Sequence, residues 1–203
     1  MNTLPGYQLE YRLGEGSAGT VWRARQSASL DRPVAVKRLK AAGGPAGAEQ
    51  LRVEAEALAC LDHPHIVRIF EILADGDGVA IAMQLAGGGS LDERLRRRGR
   101  MPPAEVADVA AKLAAALASA HRRGVLHRDV KPANVLFTTD GEPLLSDFGI
   151  CSSAAAPDAL IRGTEPYLDP TVRAGRPADA TADVYALGAV AWEMLVCEPP
   201  GPP

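Results

Sequence analysis

The chain has 203 residues, of which 47% are hydrophobic and 23% charged, and its formal net charge is −3. This is an ordinary globular composition with enough apolar residues for a sizeable core. The small negative charge does not favour binding to nucleic acid or to an anionic membrane surface.

The N-terminus lacks the basic start and apolar stretch of a secretory signal, so none is expected. The apolar stretch Val184–Cys197 is interrupted by Glu193 and is too short to span a bilayer of about 30 Å. The cysteines Cys60, Cys151 and Cys197 are scattered and show no metal-ligand spacing. We therefore expect a protein of the reducing cytoplasm with no membrane segment in this chain.

The first part of the chain, to about residue 82, is predicted to form strands around one helix. Helical spacing of the apolar residues predicts a helix over Ala48–Leu61. Alternation and β-branched content predict strands over Tyr7–Leu13, Val21–Arg25, Val34–Leu39, Ile66–Leu73 and Val79–Met83.

After the glycine run at 87–89 the pattern becomes mainly helical. Ser90 is a predicted N-cap with Glu93 at the capping-box position, for a short helix that ends at Gly99. Longer helices are predicted over Glu105–Arg123 and Ala180–Val196, short strands over Val135–Thr138 and Leu144–Ser146, and a loop of little periodicity over Ile150–Arg176. A β-rich part followed by a helical part indicates the α+β class.

Residues Gly14 to Gly19 read G-E-G-S-A-G and fit the pattern G-x-G-x-x-G. A Rossmann fingerprint would be followed by a helix, whereas Thr20–Arg25 alternates like a strand. This favours a glycine hairpin folded over phosphates, with backbone N–H groups directed at the oxygens. Taken alone, a simple tight hairpin explains the glycines equally well.

The apolar strand Val34-Ala35-Val36 ends in Lys37. A strand lysine usually just faces solvent, but this one follows the glycine motif at the distance of a strand pair. A lysine directed at phosphates needs a carboxylate to hold it, and Glu54 in the next helix is the predicted partner. Glu56 is interpreted as a solvated helix residue.

A second constellation consists of His127-Arg128-Asp129-Val130-Lys131-Pro132-Ala133-Asn134 and Asp147-Phe148-Gly149. Its polar residues fall on loops that flank a short β-hairpin. Asn134 and Asp147 supply hard oxygen ligands, which suit Mg²⁺ bound to nucleotide phosphates.

Two further residues of this constellation suit phosphoryl transfer. Asp129 would accept the hydrogen bond of a substrate hydroxyl and orient it for in-line attack. Lys131 would neutralise charge on the transferred group. Any single aspartate here could be a turn-former, but a whole set of motif letters in this order is hard to explain that way.

These motifs resemble the protein kinase superfamily, and most closely the bacterial serine/threonine kinases of eukaryotic type. The resemblance also includes Gly163-Thr164-x-Pro166-Tyr167 and Asp183–Gly188, and it covers nearly the whole chain. It implies a two-lobed fold with an N-lobe at 1–83, a hinge at 84–89 and a partial C-lobe at 90–203.

The resemblance implies catalytic roles for Asp129, Lys131, Lys37 and its partner Glu54. Asn134 and Asp147 would bind Mg²⁺, Met83 would be the gatekeeper, and Asp183 would brace the catalytic loop. The implied ATP-binding residues are Leu13, Gly14, Gly16, Gly19, Val21, Ala35, Lys37, Met83, Gln84, Ala86, Asn134, Leu136 and Asp147. Lys131 and Thr164 indicate serine/threonine rather than tyrosine specificity, on protein substrates.

The sequence departs from the family pattern in two places. Asp169-Pro170-Thr171 stands where the family usually has Ala-Pro-Glu, and the chain ends at Pro203, before the arginine with which that glutamate usually pairs. Losing both partners avoids a stranded buried charge, which costs about 3–5 kcal/mol. Apolar residues of the last helix would still lack cover, so we expect a C-terminal lobe of reduced stability, or one that self-associates or needs a partner.

The loop after Asp147-Phe148-Gly149 has few phosphorylatable residues, Ser152 and Ser153 among them. Arg128 resembles the arginine that pairs with a loop phosphate in regulated kinases. Asp158 and Cys151 are interpreted as a solvated and an inert residue. The arginine run at 94–100 lacks interleaved aromatics and is interpreted as a solvated helix face.

Three functions remain open from the sequence. The first is an active protein kinase that uses ATP and Mg²⁺. The second is a truncated kinase fold that binds a nucleotide or a partner without turnover. The third is a small-molecule kinase of the aminoglycoside or choline type, against which Lys131, Thr164 and Asp183 argue. The kinase prediction requires Lys37, Asp129, Asn134 and Asp147 to converge on one metal–triphosphate pocket.

Overall fold

The computed structural model describes residues 3–16, 19–27, 31–41, 44–76, 78–149 and 164–201. Ser152, Ser153, Asp158, Cys151 and Gly163, which the sequence singled out, lie outside the described residues. Contacts divide the chain into two units. The sheet unit comprises Met1–Asp62 and Val67–Leu85, and the helical unit comprises His63–Ile66 and Ala86–Pro203. The finer division into an N-lobe, a hinge at 84–89 and a C-lobe stays a prediction.

The sheet unit is one antiparallel sheet with the strand order β1-β2-β3-β4-β6-β5. Its strands are β1 (Thr3–Leu4), β2 (Tyr7–Gly16), β3 (Gly19–Gln26), β4 (Arg32–Lys40), β5 (Ile69–Asp75) and β6 (Gly78–Gln84). The five longer strands match those predicted from alternation, whereas β1 contains only two residues and carries no such signal.

The side chains of β4 alternate between the two faces of the sheet. Val34 and Val36 point to one face and join a core cluster that also contains Leu4, Tyr7, Ala24, Ala80 and Ala82. Because side chains alternate along a strand, Ala35 and Lys37 point to the opposite face. Helix α1 (Gly44–Ala59) packs on β5 and β6 and buries Ala55.

The helical unit contains α2 (Leu91–Arg98), α3 (Pro103–His121), α4 (Pro170–Arg173) and α5 (Ala180–Val196). A two-stranded sheet, β7 (Val135–Phe137) with β8 (Pro143–Leu145), lies beside them. Helix α3 packs against α5, and its buried stripe includes Val106, Val109, Leu113 and Leu117. None of the helices in the described parts of the chain is both long and apolar enough to cross a membrane.

The ends of these helices follow their local sequence. The Ser90 side chain accepts from the Glu93 backbone N–H, and the Glu93 carboxylate accepts from the Ser90 N–H, so the predicted capping box is present. Helix α3 begins at Pro103, where a missing N–H is harmless because the first turn has no acceptor for it. Asp179 caps α5 through the backbone N–H of Thr181.

The segment predicted as a loop over Ile150–Arg176 contains regular structure in its described part. A 3₁₀ turn spans Glu165–Tyr167, and α4 follows at Pro170–Arg173. The two elements contain only three and four residues, too few for hydrophobic periodicity to reveal them. The predicted α+β class is confirmed by the sheet followed by the helices.

Candidate active site

The register of the sheet unit brings the predicted nucleotide-binding residues of β2, β3 and β4 together. Gly14 pairs with Val21, and Val21 pairs with Lys37. Directly paired residues on antiparallel strands share a face. Ala35 therefore lies on this face as well, two residues from Lys37, and its partner on β6 is Met83. Leu13, just before Gly14, is exposed at the edge of this array.

The three glycines of the motif serve different purposes. Gly19 has φ of +139°, and a Cβ there would lie 2.0 Å from the Arg38 carbonyl oxygen, so the fold itself requires glycine. A Cβ at Gly14 or Gly16 would meet no atom within 4 Å, and neither residue has positive φ. The packing of the described residues does not demand glycine at these two positions, which fits a backbone that a ligand approaches closely.

Lys37 is nearly buried, with 5% of its surface exposed, although it is a lysine. Lysine is almost never buried to this degree unless its ammonium group has a specific role or partner. On α1, Glu54 is half-buried, whereas Glu56 is exposed and pairs with Arg52 on the same helix. The contrast supports Glu54 as the better candidate partner for Lys37, and their pairing stays a prediction.

The other predicted nucleotide contacts are distributed over both units. Gln84 ends β6, where its backbone N–H donates to the Arg68 carbonyl oxygen at 2.8 Å. Ala86 and Leu136 belong to the helical unit, with Leu136 in β7 paired to Leu144 of β8. Gln84 belongs to the sheet unit, and the contacts of these three residues with a nucleotide stay a prediction.

A buried carboxylate organises the segment at 127–129 of the helical unit, which includes the predicted catalytic residue Asp129. Asp183 on α5 is 2% exposed. Its Oδ2 accepts from the His127 backbone N–H at 2.8 Å, and its Oδ1 accepts from the Arg128 N–H at 2.8 Å. Arg128 has φ of +64°, a strained conformation for a residue with a side chain. The two backbone hydrogen bonds to a charged acceptor hold that conformation in place.

The imidazole of His127 is fully buried and connects the segment before β7 with the segment after β8. Its Nδ1 accepts from the Asp129 backbone N–H at 3.2 Å, so the hydrogen is on Nε2, which donates to the Ser146 carbonyl oxygen at 2.8 Å. Its ring lies 4.5 Å from that of Phe148, centroid to centroid. The ring therefore positions both Asp129 and the segment that carries Asp147.

The Asp129 carboxylate is held by three side chains. Its Oδ2 lies 2.6 Å from Lys131 Nζ and accepts from Asn134 Nδ2 at 3.0 Å. Its Oδ1 accepts from the Thr164 hydroxyl at 2.9 Å, and that hydroxyl accepts from Lys131 Nζ at 2.9 Å. The Asp129 and Lys131 side chains remain 33% and 26% exposed, so a substrate can reach them.

Asn134 and Asp147 lie at the same end of the β7–β8 hairpin. The Asn134 carbonyl oxygen accepts from both the backbone N–H and the hydroxyl of Ser146, the residue before Asp147. Asn134 Nδ2 also donates to the Asp129 carbonyl oxygen at 2.8 Å, which directs the amide nitrogen towards Asp129 and the amide oxygen away from it. Asp147 has φ of +59°, a conformation that aspartate tolerates better than most residues.

This donor set fits a cation that is shared with a ligand. Within the described ranges, no group of three or more His, Cys, Asp or Glu side chains is arranged to hold a metal ion. One amide and one carboxylate oxygen are instead the kind of partial set that Mg²⁺ completes with phosphate oxygens and water.

Comparison with known proteins identifies the family. A protein kinase domain profile matches residues 7–202. This chain belongs to the protein kinase family. The serine/threonine-protein kinase PkaA of Streptomyces coelicolor is 38% identical over 96% of the chain. The serine/threonine-protein kinase PknL of Mycobacterium bovis is 39% identical over 96% of the chain. The resemblance inferred from the motifs is confirmed.

This kinase chain is shorter than the relatives it matches. It covers 39% of the length of PkaA and 50% of that of PknL. Family membership therefore describes the matched domain, and the activities of whole relatives are carried to this chain only as proposals.

The kinase motifs did not reveal two polar contacts in the helical unit. His121, at the end of α3, lies 2.7 Å through its Nε2 from Asp183 Oδ2 and so contributes a third donor to that carboxylate. The Tyr167 hydroxyl donates to Glu193 on α5 at 2.5 Å, and burial together with this contact raises the pKa of Tyr167. Both pairs join residues far apart in sequence, so spacing could not predict them.

We predict that acid destabilises the helical unit through His127. Burial lowers the pKa of its imidazole, so the folded state keeps it neutral while the unfolded chain protonates near pH 6.5. Protons then bind preferentially to the unfolded state, and the free energy of unfolding falls as the pH drops below about 6.5, by at most ~1.4 kcal/mol per pH unit. His63, whose pKa is also lowered by burial, adds to the effect.

Denaturant unfolding between about pH 7.5 and 5.5 measures this dependence. A His127→Phe variant cannot titrate at this position and is expected to show a shallower pH slope, whatever its absolute stability. An equal slope in the two proteins would contradict the assignment of a neutral, buried imidazole.

Proposed function

We propose that this chain transfers the γ-phosphoryl group of ATP to serine or threonine hydroxyls of protein substrates in the presence of Mg²⁺. The observation that carries the proposal is the Asp129 carboxylate, held by Lys131 and Asn134 and hydrogen-bonded to a hydroxyl group, that of Thr164. This is the arrangement that an acceptor for a substrate hydroxyl requires.

In the proposed reaction Asp129 orients the substrate hydroxyl. Each carboxylate oxygen can accept two hydrogen bonds, and Oδ1 accepts one from Thr164, so a second hydroxyl can donate to it. The hydroxyl oxygen then attacks phosphorus in line with the leaving ADP oxygen, and its proton passes to the carboxylate. The contacts from Lys131 and Asn134 keep the carboxylate from rotating away, which preserves the attack geometry.

Lys131 contributes charge to the same step. Its ammonium group lies beside Asp129 and Thr164, on the partly exposed side of the loop. As negative charge shifts over the transferred group, an ammonium group at this position stabilises it. Arginine would not be equivalent, because the compact ammonium fits between two oxygens that are both close to it.

Asn134 and Asp147 would hold Mg²⁺. Such a metal, when bound, would neutralise phosphate charge. The Asn134 amide is oriented by its two hydrogen bonds to Asp129, which leaves its oxygen as the available donor atom. Asp147 is positioned through Ser146 and through the packing of Phe148 on His127.

The sheet unit would bind the nucleotide that the helical unit acts on. Gly14 and Gly16 leave open backbone for phosphates, and Lys37 on the same sheet face supplies an ammonium group with Glu54 as its proposed partner. Val21, Ala35 and Met83 add apolar surface to this face, which suits a purine ring.

Specificity for serine and threonine is proposed from two sources. Lys131 and Thr164, the two residues on which the motif prediction rested, are hydrogen-bonded to each other at 2.9 Å, which supports it. The relatives PkaA and PknL are named as serine/threonine-protein kinases. A location in the cytoplasm, where ATP and Mg²⁺ are available, completes the proposal.

A phosphorylation assay tests this function. Purified chain with γ-labelled ATP, Mg²⁺ and a basic probe protein such as myelin basic protein is expected to transfer label. Asp129→Asn keeps the shape of the side chain but removes the carboxylate, and we expect a loss of at least about 100-fold in rate. Nucleotide binding measured by calorimetry should persist in the variant.

The same assay separates the alternatives. Nucleotide binding without label in the wild-type chain would favour a binding module over an enzyme. Equal labelling by wild type and Asp129→Asn would show that the label comes from a contaminating kinase and would remove the support for Asp129.

We also propose that α5 contacts another protein surface, a second copy of the chain being the simplest. One face of α5 exposes large apolar side chains: Val184, Tyr185, Trp192, Leu195 and Val196. Their positions repeat at helical spacing, so they form one continuous patch. Contiguous apolar patches on a protein surface usually mark interaction sites.

Sedimentation of the purified chain over about 1–100 µM tests this contact, because association responds to concentration. Trp192→Arg should weaken self-association. Val53→Arg is the matched control, since Val53 and Trp192 are each 54% exposed and Val53 lies on α1. A wild-type chain that stays monomeric throughout, with a cooperative melt at high temperature, would contradict the proposal.

A further inference from the structure

The segment from Thr164 to Arg176 is held by contacts that the family pattern does not supply. Where the pattern predicts a glutamate paired with a distant arginine, this chain has Thr171, preceded by Asp169 and Pro170. The segment is nevertheless regular, with the 3₁₀ turn and α4. Local contacts within the described residues hold this segment.

Asp169 provides the first of these local contacts. Its Oδ1 accepts from the Thr171 backbone N–H at 2.7 Å, from the Thr171 hydroxyl at 2.6 Å and from the Val172 N–H at 3.3 Å. Three donors on one carboxylate oxygen make a charge-assisted helix cap. These hydrogen bonds lower the pKa of Asp169, so the cap is ionised at neutral pH.

Only four residues, 165–168, separate the cap residue Asp169 from Thr164, which contacts the Asp129 carboxylate. Thr164 donates to Asp129, the 3₁₀ turn follows, Leu168 is buried, and Asp169 begins the cap. Val172, in α4, is 2% exposed, so it anchors the helix in the unit. The position of α4 therefore limits where the Thr164 hydroxyl can lie.

A second local contact is weaker than the cap. Arg173 reaches back to Glu165, with 3.1 Å between the guanidinium and the carboxylate and 3.0 Å to the carbonyl oxygen. The Glu165 side chain is 76% exposed, and ion pairs in such positions contribute little. Asp169 is the stronger of the two constraints, because its Oδ1 accepts three hydrogen bonds.

We propose that Asp169 is a positioning residue for phosphoryl transfer, because its cap on α4 fixes the segment that places Thr164 against Asp129 and Lys131. The inference rests on the proposed kinase function and assigns a role to a residue at which this chain departs from the family pattern. Its effect should appear in the use of the protein substrate and not in the binding of ATP.

The test compares three changes. Asp169→Ala removes the cap and should raise KM for myelin basic protein about fivefold, with KM for ATP unchanged. Asp169→Ser keeps a capping oxygen and should restore KM to within about twofold of wild type. Asp179→Ala is the matched control, because Asp179 caps α5 through Thr181 with the same two contacts, at 2.8 and 2.6 Å. It should lower the melting temperature without a selective rise in the protein-substrate KM.

Amide hydrogen exchange provides a readout that does not need turnover. Asp169→Ala should speed exchange across residues 164–176 about tenfold, while the hairpin from Val135 to Leu145 stays as protected as in wild type. If the wild-type chain shows no transfer, the proposed function fails and the exchange result still judges the role of Asp169. Unchanged exchange at 164–176, or an equal rise in both KM values, would overturn the inference.

Discussion

The hydrogen bonds to the buried Asp183 carboxylate are the constraint on which the segment at 127–129 depends. Two of its three donors are backbone N–H groups, those of His127 and Arg128, so the carboxylate fixes the main chain itself. A buried carboxylate without such donors would be costly, and the donors without the carboxylate would be unsatisfied. The third donor, His121, ties the end of α3 to the same point. The His127 ring extends this constraint, because it accepts from the Asp129 N–H and contacts Ser146 and Phe148, the two neighbours of Asp147.

The two units contribute different kinds of chemistry. The sheet unit offers backbone, apolar surface and one nearly buried ammonium group, all set by strand register. The helical unit offers carboxylates, an amide and a hydroxyl group, set by side-chain hydrogen bonds around a short hairpin. In the proposed function, the first arrangement would suit recognition of a nucleotide, and the second would suit positioning of the hydroxyl group that reacts with it.

Much of this could be predicted from the sequence, because several levels agree. The long strands and helices carry strong periodicity, and the capping box at Ser90 was predictable from two letters. The short elements β1 and α4 were missed because their stability comes from tertiary contacts and a single cap. Among the site residues, Asp129, Lys131 and Thr164 were each identified by motif. Their mutual hydrogen bonds could not be predicted, because they depend on the tertiary fold that places Thr164 beside Asp129. The role of His121 likewise depends on Asp183, 62 residues away in the sequence, which no local pattern indicates. The cap by Asp169 is local, but its link to the position of Thr164 depends on how the segment between them packs.

Amide hydrogen exchange at His127 and Arg128 tests the central role of Asp183 most directly. In the wild-type chain both amides should be among the slowest to exchange, because a buried carboxylate binds them and they open only when the unit unfolds. In Asp183→Asn the loss of the charge should speed their exchange by at least about tenfold, since one oxygen of the pair becomes a donor. Fast exchange of these two amides in the wild-type chain, or equal protection in both proteins, would contradict the account.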